Sequence, residues 1–324
     1  MDRSEYLNRR KNAFMKQHAA LERKFERSVR RFFDEQNRTV VKYLSKKIAS
    51  GSQLVAQDAV DALSDQDWVK RLKIISTPYV AEAVIRGVKQ EQIFASMFAD
   101  GGWDEDIDEM LEEAKKKRRL RNKRRNLKKL SSKFPDDFEL IEGGQVAESV
   151  QQGVKKTVRL QMNQAYWDQM EETTQKWLFD SLYEGIADPS NTGIKTDLYK
   201  IVMDLSDAMG EVTRKRAKAI VRTETTTAFN GGHQAAMEAL VDESSGAAAL
   251  IEGKEWLATF DEDTRINHAL ASGQVVSVKA PFIVGGYEAM YPADVSLPPE
   301  ERVNCRCTNV TAFVKDAGKP EAND

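Results

Sequence analysis

The stretch Asn304-Cys305-Arg306-Cys307 contains both cysteines of this 324-residue chain. The nearest histidine before it ends the stretch Trp256-Leu-Ala-Thr-Phe-Asp-Glu-Asp-Thr-Arg-Ile-Asn-His268, and Gly273 follows that histidine by five residues. Histidine occurs only three times in the chain. The concentration of both residue types in one short region makes this the part whose fold and chemistry the sequence predicts most directly.

The residues around these two stretches predict a small α+β module. Short segments rich in valine, threonine and aromatic residues are typical of strands, and the predicted strands are 254–260, 274–278 and 303–314. Between the first two, residues 261–271 predict a helix that is capped by Asp261 or Asp263 and ends at Gly273.

The predicted helix and final strand bring metal-binding side chains together. Four helix positions share one stripe because they are spaced i, i+3, i+4 and i+7: Asp261, Thr264, Arg265 and His268. Cys305 and Cys307 share one face of the strand. Two thiolates and an imidazole, with Asp261 or water as the fourth ligand, suit tetrahedral Zn²⁺. A hydrogen-bonded corner without metal and a catalytic Cys–His pair remain open as alternatives.

Residues 5–50 predict one long amphipathic helix with a basic outer surface. Glycine and proline are absent from this segment, and its apolar residues recur at helical spacing. The predicted stripe consists of Phe14, Leu21, Phe25, Val29, Phe32, Phe33, Val40 and Leu44. This stripe requires a partner surface, either on the same chain or on another subunit. His18 is expected at the surface.

Further helices are expected over 53–100, 145–185, 195–209 and 211–240, with Ser64 or Asp65 as the N-cap before Trp68. The predicted fold class is therefore α+β, mainly helical with a small C-terminal sheet. The predicted organisation is a helical region 1–102, a charged linker or hairpin 103–142, a helical region 143–243, the α+β module 250–314 and a flexible tail 315–324.

Residues 115–129 contain 11 Lys/Arg and no acidic residue, after an acidic segment at 104–113. They are either a solvated linker paired with that segment or a surface for nucleic-acid phosphates. No aromatic residue interrupts the run, so we expect contacts to the nucleic-acid backbone without base stacking. The predicted contact residues are Lys115, Lys116, Lys117, Arg118, Arg119, Arg121, Lys123, Arg124 and Arg125.

The triplet Arg222-Thr223-Glu224 is predicted at the start of a helix that continues through Asn230. Arg222 would pair with Glu224 or with an acidic residue on the next element. Such a buried ion pair would join the helical region to the sheet and fix their geometry more than it adds stability. Gly231-Gly232 predicts a local kink that directs His233 toward the module.

Composition excludes several classes of protein. Lys+Arg 49 nearly balances Asp+Glu 51, which disfavours a general DNA-binding protein.

The N-terminus lacks the apolar core of a signal peptide, and no uncharged apolar run approaches the ~18–20 residues that cross a bilayer. We expect free thiols or metal ligands at the two cysteines because a reducing cytosol disfavours disulfides. A glycine-rich phosphate loop, a His-Glu-x-x-His motif and a nucleophile elbow are all missing, so no enzyme is predicted.

Residues 150–314 resemble the phage Mu protein F-like family, the minor head or head morphogenesis proteins. The residues that carry the resemblance are Arg222, Thr223, Glu224, Asn230, Trp256, Asp261, Thr264, Arg265, His268, Gly273, Phe282, Tyr291, Pro292, Asn304, Cys305, Arg306 and Cys307. The family's Asp-x-Arg-Thr-Arg-like start is replaced by Asp261-Glu-Asp263-Thr-Arg265, so either aspartate is the matching acid. The resemblance implies metal binding by His268, Cys305 and Cys307, with Asp261 as the acidic candidate.

The resemblance also implies a role in tailed-phage or prophage particles. The expected protein is a minor capsid component at the portal vertex that acts in head morphogenesis and in DNA packaging or ejection. Its expected partners are the portal protein, other head proteins and packaged DNA, with no membrane. It would lie in the virion, and in the host cytoplasm during assembly. The alternative is a metal-dependent hydrolase or transferase packaged with the head, with Arg222, Glu224 and His268 as catalytic residues.

Overall fold

The computed structural model describes residues 3–99, 148–188, 190, 195–242 and 251–313. The helices are α1 (Arg3–Ala49), α2 (Gln57–Asp61), α3 (Trp68–Ala99), α4 (Glu148–Met162), α5 (Tyr166–Ala187), α6 (Lys195–Asp242), α7 (Ile266–Ala271) and α8 (Pro299–Arg302). The strands are β1 (Ile251–Leu257), β2 (Val275–Val276), β3 (Phe282–Val284), β4 (Tyr287–Ala289) and β5 (Thr308–Phe313). This is the mainly helical α+β fold that was predicted. The predicted linker 103–142 and tail 315–324 lie outside the described residues.

Helix α1 is continuous over 47 residues, as predicted, and packs against α3 and α6 of the same chain. All eight residues of the predicted stripe are buried. Aromatic contacts lock the helix in place: the rings of Phe25 and Tyr79 stack at 4.8 Å, and those of Phe14 and Phe229 meet edge to face at 5.2 Å. The stripe therefore finds its partner surface within its own chain.

Helix α6 is a single helix of 48 residues, whereas the sequence predicted two. The expected break at Gly210 does not occur because one glycine inside a helix costs only about 1 kcal/mol relative to alanine. The neighbouring Met209 and Ala217 are buried in the main core, and this packing outweighs the cost. As a result Arg222-Thr223-Glu224 lies in the middle of a helix instead of at its start.

Two glycines allow the backbones of α3 and α6 to touch. A Cβ atom at Gly87 would lie 2.1 Å from the Phe229 carbonyl oxygen, and one at Gly232 would lie 2.1 Å from the Val84 carbonyl oxygen. Both distances are far shorter than van der Waals contact, so no other residue fits without moving a helix. Gly232 therefore serves this crossing within an unbroken helix, and this crossing fixes α6 against the core.

Two local predictions in the helical region were wrong. Asp67, and neither Ser64 nor Asp65, caps α3: its Oδ1 accepts a hydrogen bond of 2.8 Å from the backbone N–H of Lys70. His18 is buried, not at the surface. It follows Phe14 by one helical turn and therefore lies on the same inward face of α1. None of the helices in the described ranges has the length and apolarity that a membrane crossing requires.

The C-terminal module contains an antiparallel sheet of order β2-β1-β5 and a separate β3-β4 hairpin. Trp256 pairs with Asn309 across β1 and β5. The module has an apolar core of its own, which includes Trp256, Phe282 and both cysteines. Strand β1 has the predicted length but begins three residues earlier, whereas β2 and β5 are shorter than predicted. The cysteines lie immediately before β5 instead of within it.

The helix predicted over 261–271 forms only from Ile266 onward. Residues 261–264 form a tight turn in which the Thr264 N–H donates to the Asp261 carbonyl at 3.0 Å. The Thr264 hydroxyl also accepts from the Asp261 N–H at 3.0 Å, and such side-chain bonds compete with helix formation. Asp261, Thr264 and Arg265 therefore do not share a helical stripe with His268. The predicted end at Gly273 is correct, with φ of +85°.

Candidate metal centre

The structure brings together three of the four ligands predicted from sequence. His268 Nδ1 lies 3.6 Å from Cys305 Sγ and 3.4 Å from Cys307 Sγ. All three residues are buried, with 2–3% of their surface exposed. Among the described residues this is the only group of three or more His, Cys, Asp or Glu whose ligand atoms lie within 4.8 Å of one another.

The backbone before β5 is what points both cysteines at the histidine. Asn304 has φ of +61°, a left-handed conformation that asparagine tolerates, and its N–H donates to Thr223 Oγ1 at 3.0 Å. Both sulfur atoms lie beside His268 Nδ1, so the side chains of Cys305 and Cys307 fall on the same side of the chain. The sharp turn at Asn304 thus places the cysteines, and α6 holds that turn.

His268 is held by the module's aromatic core. It lies on the short helix α7, and the Trp256 ring meets its imidazole edge to face at 5.5 Å. Trp256 in turn packs edge to face on Phe282 at 5.4 Å. These contacts hold the imidazole against the core on one side, and its Nδ1 faces the two sulfur atoms.

The three donors fit a zinc ion. With Zn–S of about 2.3 Å and Zn–N of about 2.0–2.1 Å, tetrahedral coordination places nitrogen and sulfur ligands about 3.6 Å apart. The observed separations of 3.6 and 3.4 Å match this value. Thiolate sulfur and imidazole nitrogen are also the ligands that zinc prefers.

The two thiols are electronically unequal. The hydrogen bond from Cys305 lowers the pKa of Cys307 to about 5, and the contact with His268 acts in the same direction against the effect of burial. The same contact with Cys307, together with burial, raises the pKa of Cys305. One thiol is therefore ready to act as the thiolate that metals bind.

Asp261 does not join this group. Arg306 Nη2 lies 2.8 Å from Asp261 Oδ1 and 2.8 Å from Asp263 Oδ2, so one guanidinium binds both candidate aspartates. The Thr264 hydroxyl also donates to the Asp261 carboxylate at 3.0 Å. The tight turn holds this carboxylate on Arg306, which explains why it does not reach the sulfur atoms.

The predicted ionic link between helices and module is present, with a different arginine. Glu224 is fully buried, and Arg302 Nη2 on α8 lies 3.0 Å from its Oε1, while Gln161 Nε2 donates to its Oε2 at 2.6 Å. Arg222 Nε lies 3.4 Å from Glu22 Oε1 on α1 instead. Residues two apart on a helix point to different sides, so the Arg222–Glu224 pair was wrong. Burial raises the pKa of Glu224, and Arg302 opposes this.

The other predicted motif residues lie around the same corner. Arg265 donates to the Val303 carbonyl, just before the cysteines. Asn230 Nδ2 donates to the carbonyls of Pro292 at 3.0 Å and Cys307 at 2.9 Å, and its Oδ1 accepts from Thr308 at 2.8 Å. The predicted polyanion contacts at 115–125 lie outside the described residues.

Sequence reasoning named Asn230 as a motif residue and directed His233 toward the module, but it missed the row of buried polar side chains on α6 to which both belong. We call this set the polar row: Thr226, Thr227, Asn230, His233 and Gln234. Each binds a backbone carbonyl of the module. Thr226 binds the carbonyl of Cys305 at 2.9 Å, and Thr227 binds that of Ala293 at 2.7 Å. His233 binds the carbonyl of Asn309 at 3.1 Å, and Gln234 binds that of Val278 at 2.8 Å. The two carbonyls bound by Asn230, those of Pro292 and Cys307, are given above. Burial lowers the pKa of His233, which keeps it neutral. Polar residues at steps of three and four along a helix were the available signal.

The fold and this buried corner define a mainly helical α+β protein with a Cys-Cys-His cluster. Residues 79–310 match the family described as Phage Mu protein F like protein, well over half of the chain. The chain belongs to this family, which confirms the resemblance stated above. Membership indicates a phage head morphogenesis protein and agrees with the structural, non-enzymatic role expected from sequence.

A curated protein also shares part of its sequence with this chain. NAD(+)--arginine ADP-ribosyltransferase EFV from Enterococcus faecalis is 33% identical over 111 residues, which is 34% of this chain and 21% of that protein. The chain thus spans about a fifth of the length of this relative. No solved structure matches the chain.

Proposed function

We propose that this chain is a minor head protein at the portal vertex of a tailed phage or prophage, where it acts in head morphogenesis and in DNA packaging or ejection. Family membership supports the head assignment. The observation that carries the DNA role is the outer surface of α1. We call this surface the basic face: Lys16, Arg23, Lys24, Arg27, Arg30, Arg31, Arg38, Lys42 and Lys46 are all exposed.

The shape and charge of the basic face suit duplex DNA. From Lys16 to Lys46 the helix rises about 45 Å at 1.5 Å per residue, more than one turn of B-form DNA at about 34 Å. Of the acidic residues between Lys16 and Lys46, Asp34 is exposed, Glu35 pairs with Arg71, and Glu22 and Glu26 are half-buried. The buried stripe on the opposite side fixes the helix to the core, so the charges form a rigid row. Such a row contacts phosphates without reading sequence.

We propose further that His268, Cys305 and Cys307 bind Zn²⁺ in a structural role. Zinc would cross-link α7 to the segment before β5 and so hold the module closed. The burial of all three ligands supports this role, because a catalytic zinc needs a position that substrate can reach.

The protein content of purified phage particles tests the assignment of this chain to the head. We expect quantitative mass spectrometry of purified phage particles and empty procapsids to find this chain at a few copies per portal in both. Presence in procapsids would place its entry before DNA packaging. A chain abundant in infected cells but missing from both kinds of particle would contradict the proposal.

The basic face predicts a specific loss of DNA binding. In the triple variant Arg23→Glu, Arg27→Glu, Arg30→Glu, we expect weaker binding to a random-sequence duplex. The slope of log affinity against log salt should fall by about 2–3, since each lost phosphate contact removes about 0.9. The measurement is fluorescence anisotropy across a salt series.

The matched control moves the same charge to another exposed surface. Lys200, Arg214 and Lys218 are exposed on α6, and their change to Glu alters net charge equally. We expect this variant to keep the steep salt dependence of the unmodified protein. Equal losses in both variants would show that net charge, and not the basic face, determines DNA binding.

A transferase role is the second candidate, and the partial likeness to an ADP-ribosyltransferase is the observation in its favour. That likeness covers only a fifth of the relative. The predicted catalytic trio is also dispersed: Arg222 pairs with Glu22, Glu224 with Arg302, and His268 with the cysteines. The head protein is therefore the better supported proposal.

A further inference from the structure

The far side of the His268 ring carries a second contact that the metal proposal does not use. Nδ1 faces the sulfur atoms, and Nε2 lies 3.1 Å from Glu301 Oε2. The side chains of both residues are at least nine-tenths buried, so water does not compete for this contact. In a neutral imidazole that binds metal through Nδ1, the proton must lie on Nε2. Neither atom has a hydrogen-bond partner among the described residues, so Glu301 Oε2 is within reach as the acceptor that a proton on Nε2 would need.

Glu301 is itself held from two sides. Asn267, the neighbour of His268 on α7, donates from Nδ2 to Glu301 Oε1. The turn of the β3-β4 hairpin closes over this pair at Gly285, where φ is +59°. A Cβ atom there would lie 2.6 Å from Asn267 Nδ2 and 2.7 Å from Glu301 Oε1. Three elements therefore converge on one carboxylate, which a passive surface glutamate would not require.

We propose that Glu301 is the positioning residue of the metal centre, and this inference rests on the proposed binding of zinc. A carboxylate behind a metal-bound histidine fixes its tautomer and ring orientation and raises its basicity as a ligand. Here Glu301 selects Nδ1 as the metal-binding nitrogen. Asn267 donates to the other carboxylate oxygen, and Gly285 leaves room for this pair because a Cβ atom there would collide with both side chains.

The test is zinc affinity in Glu301→Gln, measured by competition with a chromophoric chelator. We expect binding to weaken about 10- to 100-fold while the stoichiometry at saturation is unchanged. The control is Glu300→Gln, because Glu300 precedes Glu301 on α8 but is exposed. The control should bind zinc as tightly as the unmodified protein.

A second measurement uses the unmodified protein and therefore tests the inference even if Glu301→Gln folds poorly. In the zinc-loaded unmodified protein, ¹⁵N chemical shifts should show His268 bound through Nδ1 and protonated at Nε2. The chain's other histidines are only His18 and His233, which makes the assignment tractable. Coordination through Nε2, or equal zinc affinity in both glutamine variants, would overturn the inference. Failure of the unmodified protein to bind zinc would instead contradict the metal proposal.

Discussion

Cys307→Ser is expected to abolish zinc binding and leave the helical core folded. The unmodified chain should retain about one zinc ion after dialysis, as a Cys-Cys-His site requires. Serine removes one of the two sulfur ligands and leaves a hydroxyl, which is a poor ligand for zinc. The helical core does not include this residue. Mass spectrometry of metal content and circular dichroism measure the two effects separately.

The control for this prediction is Asp261→Asn. The sequence named Asp261 as a fourth ligand, whereas the structure pairs it with Arg306. We therefore expect the asparagine variant to keep its zinc. Loss of zinc in Asp261→Asn would mean that the turn at 261–264 rearranges to bring the carboxylate onto the metal. Zinc retained by Cys307→Ser would contradict the site itself.

Arg10→Met is expected to destabilise the chain by about 3–5 kcal/mol, the usual cost of leaving one member of a buried ion pair unpaired. Arg10 on α1 contacts Glu91 on α3, and both side chains are 0% exposed. Glu91 also accepts a hydrogen bond from Thr311 on β5. Burial disfavours the charged guanidinium, but Glu91 outweighs this and the pKa of Arg10 is raised. Chemical denaturation measures the free energy of unfolding.

Two further variants separate the charge from the packing. Arg9→Met removes the neighbouring arginine, which is exposed and pairs with Glu5 one turn away, so we expect a loss of about 0.3–0.5 kcal/mol. The double variant Arg10→Met, Glu91→Leu should recover most of the stability, since apolar replacements of buried pairs are often neutral. A double variant no more stable than Arg10→Met would show that the pair matters through its shape and not its charge.

The parts of the fold that could be predicted depend on contacts close in sequence. Helix α1 could be predicted because its apolar residues recur at helical spacing and no glycine or proline interrupts them. The Cys-Cys-His cluster follows from alternation along the chain at Cys305 and Cys307, and from a helix that ends at Gly273. In each case the periodicity of a few residues determines which way the side chains point.

The errors arose where distant residues decide the outcome. His18 was expected at the surface, but its Nε2 lies 2.8 Å from Thr226 Oγ1, more than 200 residues further along the chain. The partner of Glu224 is Arg302, and no local pattern identifies it. The turn at Asp261 is different, because two competing local preferences were both present and the side-chain hydrogen bonds prevailed.

The polar row limits which fragments of this gene can encode a folded sheet module. Helix α6 supplies the hydrogen-bond donors for six carbonyls of the sheet module. A gene fragment that begins at residue 251 would encode a module in which those carbonyls lack these donors. The family match starts at residue 79, inside α3, and therefore includes α6 together with the sheet. A cassette that moves between genes must therefore carry the helix together with the sheet.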